Sequence, residues 1–209
     1  MSEANIITDE DLMLHYRDGD AAAFDALYAR HKSATFRYCL RQCTNSAEAD
    51  EVFQELWLSV INARASYAVQ ARFTTWLFTL AHHRLVDFFR VRGRHLSLVP
   101  LDVEREDEEA PALQIASRES DNPAQQLALK QEALAVLSWV AALPAPQREA
   151  FLMQQETDMS IDEIAAATGT SRETTKSRLR YAMDKLKSLH QHHFGDAKNI
   201  HFKSEVITP

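Results

Sequence analysis

Residues 160–186 read SIDEIAAATGTSRETTKSRLRYAMDKL, and their pattern predicts the structure of the C-terminal half. Ser160 and Glu163 have the spacing of a capping box, in which each side chain bonds the backbone of the other residue at the start of a helix. Gly169 marks a tight turn, and Ser171 can cap a second, longer helix. A short helix, a turn and a second capped helix together predict a helix-turn-helix.

The second helix of this motif has an apolar face and a basic stripe. The apolar face consists of Thr175, Leu179, Ala182, Met183 and Leu186. Arg172, Lys176 and Arg180 recur every four residues beside that face, so they share one side of the helix. Residues at the start of a recognition helix reach base edges, whereas other basic residues contact phosphates. The candidate DNA-contacting residues are Ser171, Arg172, Glu173, Lys176, Ser177, Arg178 and Arg180. A solvated basic helix that binds nothing is the alternative for this motif taken alone.

The composition of the whole chain agrees with an all-α protein. Its 209 residues include only 4 Gly and 6 Pro, which argues against glycine-rich phosphate loops and turn-rich β folds. The net charge of −7 argues against a nucleic-acid partner only if charge is spread evenly along the chain. Residues 65–95, however, contain five Lys or Arg against one Asp or Glu, and residues 170–190 contain six against two. These two basic segments can attract phosphates within an acidic chain.

The N-terminal half carries further helical patterns. Residues 9–43 predict two helices, which Asp9 and Asp20 can cap. Ser46 can cap a third helix, and apolar residues at helical spacing continue through residues 73–90.

Residues 95–126 differ in character from the helical segments on either side. They contain three prolines and an acidic run over residues 104–109, and both features oppose a packed helix. The helical pattern resumes at Leu127 and continues to about His190. The expected organisation is an N-terminal domain over residues 1–95, a flexible acidic linker over 96–126, a helix-turn-helix domain over 127–190 and a polar tail over 191–209.

The helix expected over residues 73–90 combines aromatic residues with a basic end. His83, Asp87 and Arg90 lie at i, i+4 and i+7 and therefore on one face. Interleaved aromatic and basic residues suit unstacked bases and phosphates. Core packing is the alternative for Phe73 and Trp76, because aromatic residues at helical spacing are usually buried.

Four short stretches stand out in order along the chain. They are ADEVFQE at residues 49–55, FTTWL at 73–77, LPAPQRE at 143–149 and TTKSRL at 174–179. Each stretch alone is weak evidence for any protein family. Together, in this order and with such a linker between the second and the third, the four stretches are specific evidence for one family. The chain resembles the sigma-70 family, and in particular its short extracytoplasmic-function (ECF) sigma factors, over about residues 9–190.

This resemblance implies an all-α fold of two small helical domains joined by a flexible linker. It implies a non-enzymatic transcription initiation factor that binds core RNA polymerase and opens a restricted set of promoters. The N-terminal domain would bind the β′ clamp helices and melt the −10 element, and the C-terminal domain would read the −35 element and contact the β flap. The polymerase-docking role is carried over to Asp50, Gln54, Glu55, Trp57 and Leu58. The −10 role is carried over to the loop at residues 66–72 and to Arg72, His83, Arg84, Asp87, Arg90, Arg92 and Arg94. The −35 role is carried over to the seven residues of the second helix given above.

The sequence departs from the usual family pattern at several positions. His83 stands where asparagine is common, and Thr79 stands where arginine is common. Thr175 replaces a common valine, a near-isosteric change that adds a hydroxyl and for which we expect a small packing cost.

Several expectations concern partners, ligands and location. No apolar run approaches the ~18–20 residues that span a bilayer, and the acidic N-terminus lacks a signal-peptide pattern, so we expect a cytoplasmic protein without membrane insertion. A cognate anti-sigma factor is a common partner in the family. No cofactor or metal is expected.

Two alternatives stay open at this point. The first is a stand-alone helix-turn-helix regulator that binds DNA without polymerase. The second is a metal- or redox-responsive protein that would use Cys39, Cys43 and the histidines near residue 190. His192 and His193 are adjacent and cannot share a helix face, and thiols of this kind are usually ordinary buried residues.

Overall fold

The computed structural model describes residues 7–93 and 123–195. Regular structure in these residues is entirely helical, as the sequence predicts, with a short 3₁₀ helix at Arg64–Ser66. The α-helices are α1 (Asp9–Arg17), α2 (Ala21–Gln42), α3 (Ser46–Ala63), α4 (Phe73–Val91), α5 (Pro123–Ala141), α6 (Ala145–Thr157), α7 (Ile161–Thr168) and α8 (Arg172–Phe194). None of the described helices combines the length and apolar character that a bilayer span requires.

The helix starts in the N-terminal half follow the sequence closely. Asp20 caps α2 as predicted. For α1 and α3 the cap lies one residue earlier, because Thr8 and Asn45 accept the backbone N–H bonds that we expected Asp9 and Ser46 to accept. Thr, Ser, Asn and Asp are all good capping residues, so neighbouring ones compete for the role.

The helix-turn-helix forms as the sequence predicts. Ser160 begins α7 in a complete capping box, and Ser171 caps α8. Gly169 ends α7 with φ +63°, in the left-handed region that glycine adopts without strain. α8 continues to Phe194, past the predicted end at His190.

The stretch expected to be a linker is only partly described. α5 begins at Pro123, where proline suits the first turn of a helix, so helical structure resumes before the predicted position at Leu127. Residues 94–122, which include Arg94 and most of the predicted linker, lie outside the described residues, as do residues 196–209.

The two halves of the chain pack directly on each other. α6 lies against α2, and α7 lies against α4. Their buried side chains form one continuous apolar core, which extends from α1 to α8. The sequence pattern predicts the two halves but contains no signal for this contact.

Candidate nucleic-acid interface

The apolar face predicted for α8 packs against α7. Ile161 and Ile164 of α7 are buried, and Leu179, Met183 and Leu186 of α8 are buried as well. This packing fixes α8 with its N-terminal end and basic stripe toward solvent.

The turn of the motif contains a chain of hydroxyl groups. Thr175 is 1% exposed, and its Oγ1 lies 2.9 Å from Oγ1 of Thr170. Thr170 in turn lies 3.1 Å from Oγ1 of Thr168, which donates to the Ile164 carbonyl. The hydroxyl that Thr175 has in addition to the valine side chain therefore has a hydrogen-bond partner. Through Thr170 it links the turn to both α7 and α8.

The start of α8 presents charged groups to solvent. Arg172 and Glu173 are exposed, and Arg172 forms an ion pair with Asp162 of α7. The hydrogen bond and charge of Asp162 raise the pKa of Arg172. The ion pair also holds the guanidinium of Arg172 next to α7. Ser171 is exposed too, but its hydroxyl accepts the N–H of Thr174 as a helix cap.

The later residues of the predicted −35 set are less uniform. Lys176, Ser177 and Arg178 are partly buried, whereas Arg180 is exposed and its guanidinium lies 5.1 Å from the ring of Tyr181. Tyr181 is 54% exposed, and the sequence interpretation did not select it.

The predicted −10 surface on α4 is organised by one carboxylate. Asp87 pairs with Arg84 at 3.0 Å and with Arg90 at 2.8 Å, one turn away on each side. The i, i+3 spacing of the three residues accounts for this arrangement. His83 is exposed on the same helix, with its ring 5.7 Å from that of His82.

Two further arginines of the −10 set contact residues outside α4. Arg92 lies 2.8 Å from Glu51 of α3 and stacks over the ring of Phe88, 3.8 Å from its centroid. It therefore ties α4 to α3. Arg72 precedes α4 and donates to the Asp158 carbonyl of the other half at 3.4 Å.

The loop before α4 is exposed except for one anchor. Tyr67 is 5% exposed, and its ring lies 5.0 Å from Trp76 and 6.4 Å from Phe73. Phe73 is fully buried, and Trp76 is partly buried and packs against the same core, so core packing, the alternative stated for both, applies to both residues. Tyr67 fixes the base of the loop and leaves the rest of residues 66–72 open to solvent.

The predicted docking face of α3 is exposed, with one exception. Asp50, Gln54, Glu55 and Leu58 are exposed, and Leu58 is 56% exposed. Trp57 is 5% exposed and faces the core, so its polymerase-docking role stays a prediction.

Trp57 instead belongs to the aromatic core. Its ring contacts Tyr28 at 4.9 Å and Phe24 at 5.8 Å. Ile61, which is 41% exposed, is the apolar residue that the sequence interpretation missed. Its spacing from residues 50, 54 and 58 places it on their face of the helix and could have identified it.

The alternative of a metal- or redox-responsive protein gains no support in the described part of the chain. Cys39 and Cys43 are buried, and burial raises the pKa of both thiols, that of Cys43 to about 12. Within residues 7–93 and 123–195 no cluster of three or more His, Cys, Asp or Glu side chains is arranged to hold a metal ion.

Comparisons of the sequence with known families identify both halves. The family model for Sigma-70 region 2 matches residues 27–95, and the model for Sigma-70, region 4 matches residues 133–186. The RNA polymerase sigma factor CarQ of Myxococcus xanthus is 31% identical over 85% of this chain and 94% of its own length. The ECF RNA polymerase sigma-E factor of Escherichia coli K12 is 26% identical over 86% of this chain and 93% of its own length.

Solved structures share the fold. CnrH, in complex with the cytosolic domain of CnrY, matches with a TM-score of 0.60 at 22% identity, over 88% of this chain and 98% of that one. The Bartonella quintana sigma factor RpoE, in complex with the anti-sigma factor NepR, matches with a TM-score of 0.58 at 21% identity, over 80% of this chain and 96% of that one.

Fold and surfaces together define a two-domain, all-α transcription initiation factor with a helix-turn-helix. The chain belongs to the ECF group of the sigma-70 family. Its partners are core RNA polymerase and promoter DNA, and it directs promoter-specific transcription. The stand-alone regulator is therefore no longer needed as an alternative.

Proposed function

We propose that three exposed surfaces of this sigma factor have separate roles in transcription initiation. The start of α8 reads the −35 element, the solvent side of α4 with the loop at residues 66–72 contacts the −10 element, and the exposed face of α3 docks on the β′ clamp helices. The observation that supports this most is that each surface is open to solvent and has the charge its partner requires: basic for α4 and α8, acidic for α3.

The −35 assignment depends on the first turns of α8. Arg172 and Glu173 are exposed there, and Lys176 lies one turn from Arg172. Arginine and lysine are suited to guanine edges, and a glutamate accepts from cytosine. Arg178 and Arg180 face the phosphates in this arrangement.

The −10 assignment depends on the pairing of Asp87 with two arginines. These ion pairs fix the directions of the Arg84 and Arg90 side chains on α4, and His83 is exposed next to Arg84. A side chain whose geometry is fixed in advance loses less entropy when it binds a strand. The open loop before α4 offers room for a base that has left the stack.

The docking assignment combines acidic and apolar groups. Asp50, Gln54 and Glu55 provide polar and negative contacts for a basic helix, and Leu58 provides an apolar one. Trp57 is buried beneath this face of α3, and in this proposal it supports the face without contacting polymerase.

Further parts of the assignment follow from the family. We propose that residues 1–95 and 127–190 act as the two functional domains, that residues 96–126 connect them as a linker, and that the C-terminal domain contacts the β flap. The protein acts in the cytoplasm through binding energy and has no catalytic site of its own. Two structural neighbours were solved with CnrY and with the anti-sigma factor NepR, which supports a cognate anti-sigma factor for this chain.

Site-specific crosslinking tests the three surfaces separately. A promoter is first mapped from the 5′ ends of transcripts that core polymerase and this chain produce on genomic fragments. Benzoylphenylalanine is then placed at Glu173, His83 or Gln54, which are all exposed. We expect crosslinks to DNA near −35, to the non-template strand near −10, and to β′, respectively. A different target for any position refutes the assignment of that surface.

A further inference from the structure

The first helix of the chain contacts the loop at residues 66–72 from both ends. Just before the loop, the guanidinium of Arg64 lies over the ring of Tyr16, 5.1 Å from its centroid. Just after the loop, the backbone N–H of Phe73 donates to Oε1 of Glu10 at 2.5 Å. Tyr16 and Glu10 both belong to α1, so one short helix holds the two ends of the loop.

The contact of Glu10 provides a cap that α4 lacks in its own sequence. The first N–H groups of a helix have no partner within that helix, and a nearby side chain usually accepts from one of them. Arg72 precedes α4, and its side chain makes no such hydrogen bond. Glu10 takes this role from 63 residues away, and its negative charge suits the N-terminal end of the α4 dipole.

The carboxylate of Glu10 is held in place through its neighbour Asp9. Asp9 pairs with Arg30 and with His31 of α2, each at 2.7 Å, and these pairs tie the start of α1 to α2. The ring of His31 in turn lies 5.3 Å from the ring of Phe73. Consecutive carboxylates of α1 therefore bind two different helices, Asp9 to α2 and Glu10 to α4.

Tyr67 joins the loop itself to this arrangement. Its ring is 5% exposed and packs against the first turn of α4. Burial, with a smaller contribution from the charges of Glu10 and Asp9, raises the pKa of Tyr67 to about 12, so the phenol stays neutral. Residues 68–71 are exposed, so their position depends on how the two ends of the loop are held.

We propose that Glu10 is a positioning residue for −10 recognition: by capping α4 from α1, it sets the conformation of the loop at residues 66–72 before the promoter binds. The inference rests on the assignment of this loop and of α4 to the −10 element. A loop whose ends are already fixed loses less entropy when it closes on an unstacked base. Glu10 acts through the backbone of Phe73 and makes no contact with DNA itself.

The mobility of the loop in the free, full-length chain tests the positioning directly. A nitroxide spin label is attached at Gln70→Cys, an exposed position in the loop, and the buried native thiols stay unlabelled in a brief reaction. Glu10→Ala should sharpen the spectrum of the label, because the loop moves more freely. Glu10→Gln keeps an oxygen that accepts from Phe73 and should retain the wild-type spectrum. An unchanged spectrum in folded Glu10→Ala overturns the proposal.

Two further variants separate positioning from a general loss of stability. Arg64→Gln removes the cation over Tyr16 at the other end of the loop and should also raise the mobility of the label. Asn45→Ala is the matched control, because it removes the cap of α3 at the opposite end of that 18-residue helix from the loop. It should lower the melting temperature about as much as Glu10→Ala does and leave the spectrum unchanged. Circular dichroism checks that each variant retains its helices.

The affinity of the holoenzyme for single-stranded non-template DNA with the −10 sequence tests the consequence for recognition. Glu10→Ala should bind this strand about threefold to tenfold more weakly, because apparent affinity falls with the fraction of chains in the binding conformation. Glu10→Gln and Asn45→Ala should bind it as the wild-type chain does. Binding to core polymerase, and to a duplex that contains the −35 element alone, should be unchanged in all three variants.

The possible outcomes distinguish this role from a purely structural one. Equal losses of −10 affinity in Glu10→Ala and Asn45→Ala would show an effect of stability alone and would overturn the proposal. Raised mobility without a loss of −10 affinity would overturn the role of Glu10 in recognition. The crosslinking experiment above uses the chain with native Glu10, so misplaced crosslinks from His83 would refute the −10 assignment whatever the spectra show.

Discussion

Trp57 and Leu58 are consecutive residues of α3 with opposite environments: Trp57 is 5% exposed, and Leu58 is 56% exposed. The 100° rotation per residue of a helix accounts for this difference. Trp57 packs on the aromatic core of the N-terminal half, whereas Leu58 projects from the face assigned to polymerase. At these adjacent positions one side chain packs in the core and the other lies on the proposed docking face.

Leu58→Ser should weaken binding to core polymerase without destabilising the chain. Loss of an apolar contact worth about 1.5 kcal/mol corresponds to about a tenfold weaker affinity. Fluorescence anisotropy with labelled chain measures the affinity, and thermal melting checks the fold. Trp57→Ala is the contrasting variant and should cost about 3–5 kcal/mol of stability, since it opens a cavity. Unchanged affinity in Leu58→Ser would remove this face of α3 from the docking surface.

Arg172→Ala and Lys176→Ala should each weaken promoter binding and spare polymerase binding. A side chain that reads a base edge contributes about 1–3 kcal/mol of discrimination. Holoenzyme binding to promoter DNA, measured with wild-type and altered −35 sequences, should show lost discrimination. Lys187→Ala, at an exposed position further along α8, is the matched control. Loss of core polymerase binding in either variant would contradict the role given to this helix.

The threonine pair at the turn should behave as one unit. Thr170→Ala leaves the buried hydroxyl of Thr175 without its 2.9 Å partner, at a cost of about 1 kcal/mol or more. Thr175→Val removes that hydroxyl itself and should change stability by less. In the double variant the two costs should not add, which denaturant unfolding detects as a coupling energy. Additive costs would show that this hydroxyl contact does not stabilise the turn.

Cys39 and Cys43 should resist thiol reagents in the folded protein. Both are buried and have raised pKa values, so little reactive thiolate is present near pH 8. Reaction with Ellman's reagent should be slow in buffer and complete within minutes in denaturant. Rapid reaction of the native chain would show that this part of α2 opens readily.

Asp9 should contribute to the acid sensitivity of the fold. Hydrogen bonds from His31 and Arg30, both at 2.7 Å, lower the pKa of Asp9 below 3.8. Its contribution is therefore present above about pH 4 and is lost as the pH falls through the lower, folded value. The free energy of unfolding should fall less steeply between pH 5 and pH 3 in Asp9→Asn than in the wild-type chain. Asp25→Asn, at an exposed position on α2, should retain the wild-type slope.

Helix caps and turns could be predicted because the residues that form them are close together in the sequence. The capping box of Ser160, the cap at Ser171 and the turn at Gly169 lie where the sequence places them. The caps of α1 and α3 differ by one residue because two good capping residues are adjacent in each case. Ile61 lies on the same face of α3 as residues 50, 54 and 58, so helical spacing could have predicted its position on that face.

Contacts between distant parts of the chain were not predictable in this way. The sequence separates Tyr38 from Glu149 by more than a hundred residues, and nothing near either one indicates that they meet. The burial of Trp57 was not predicted, because only the packing of α2 on α3 shows which side of that helix is buried. Asp162 was missed because its ion pair with Arg172 depends on how α7 and α8 fold together.

The most direct test of the account is transcription in vitro with purified core polymerase, with and without this chain. We expect initiation at defined sites only when the chain is present. Leu58→Ser should lower the yield at all sites, whereas Lys176→Ala should lower it to a degree that depends on the −35 sequence. Core polymerase that gains no specific initiation from the wild-type chain would contradict the account.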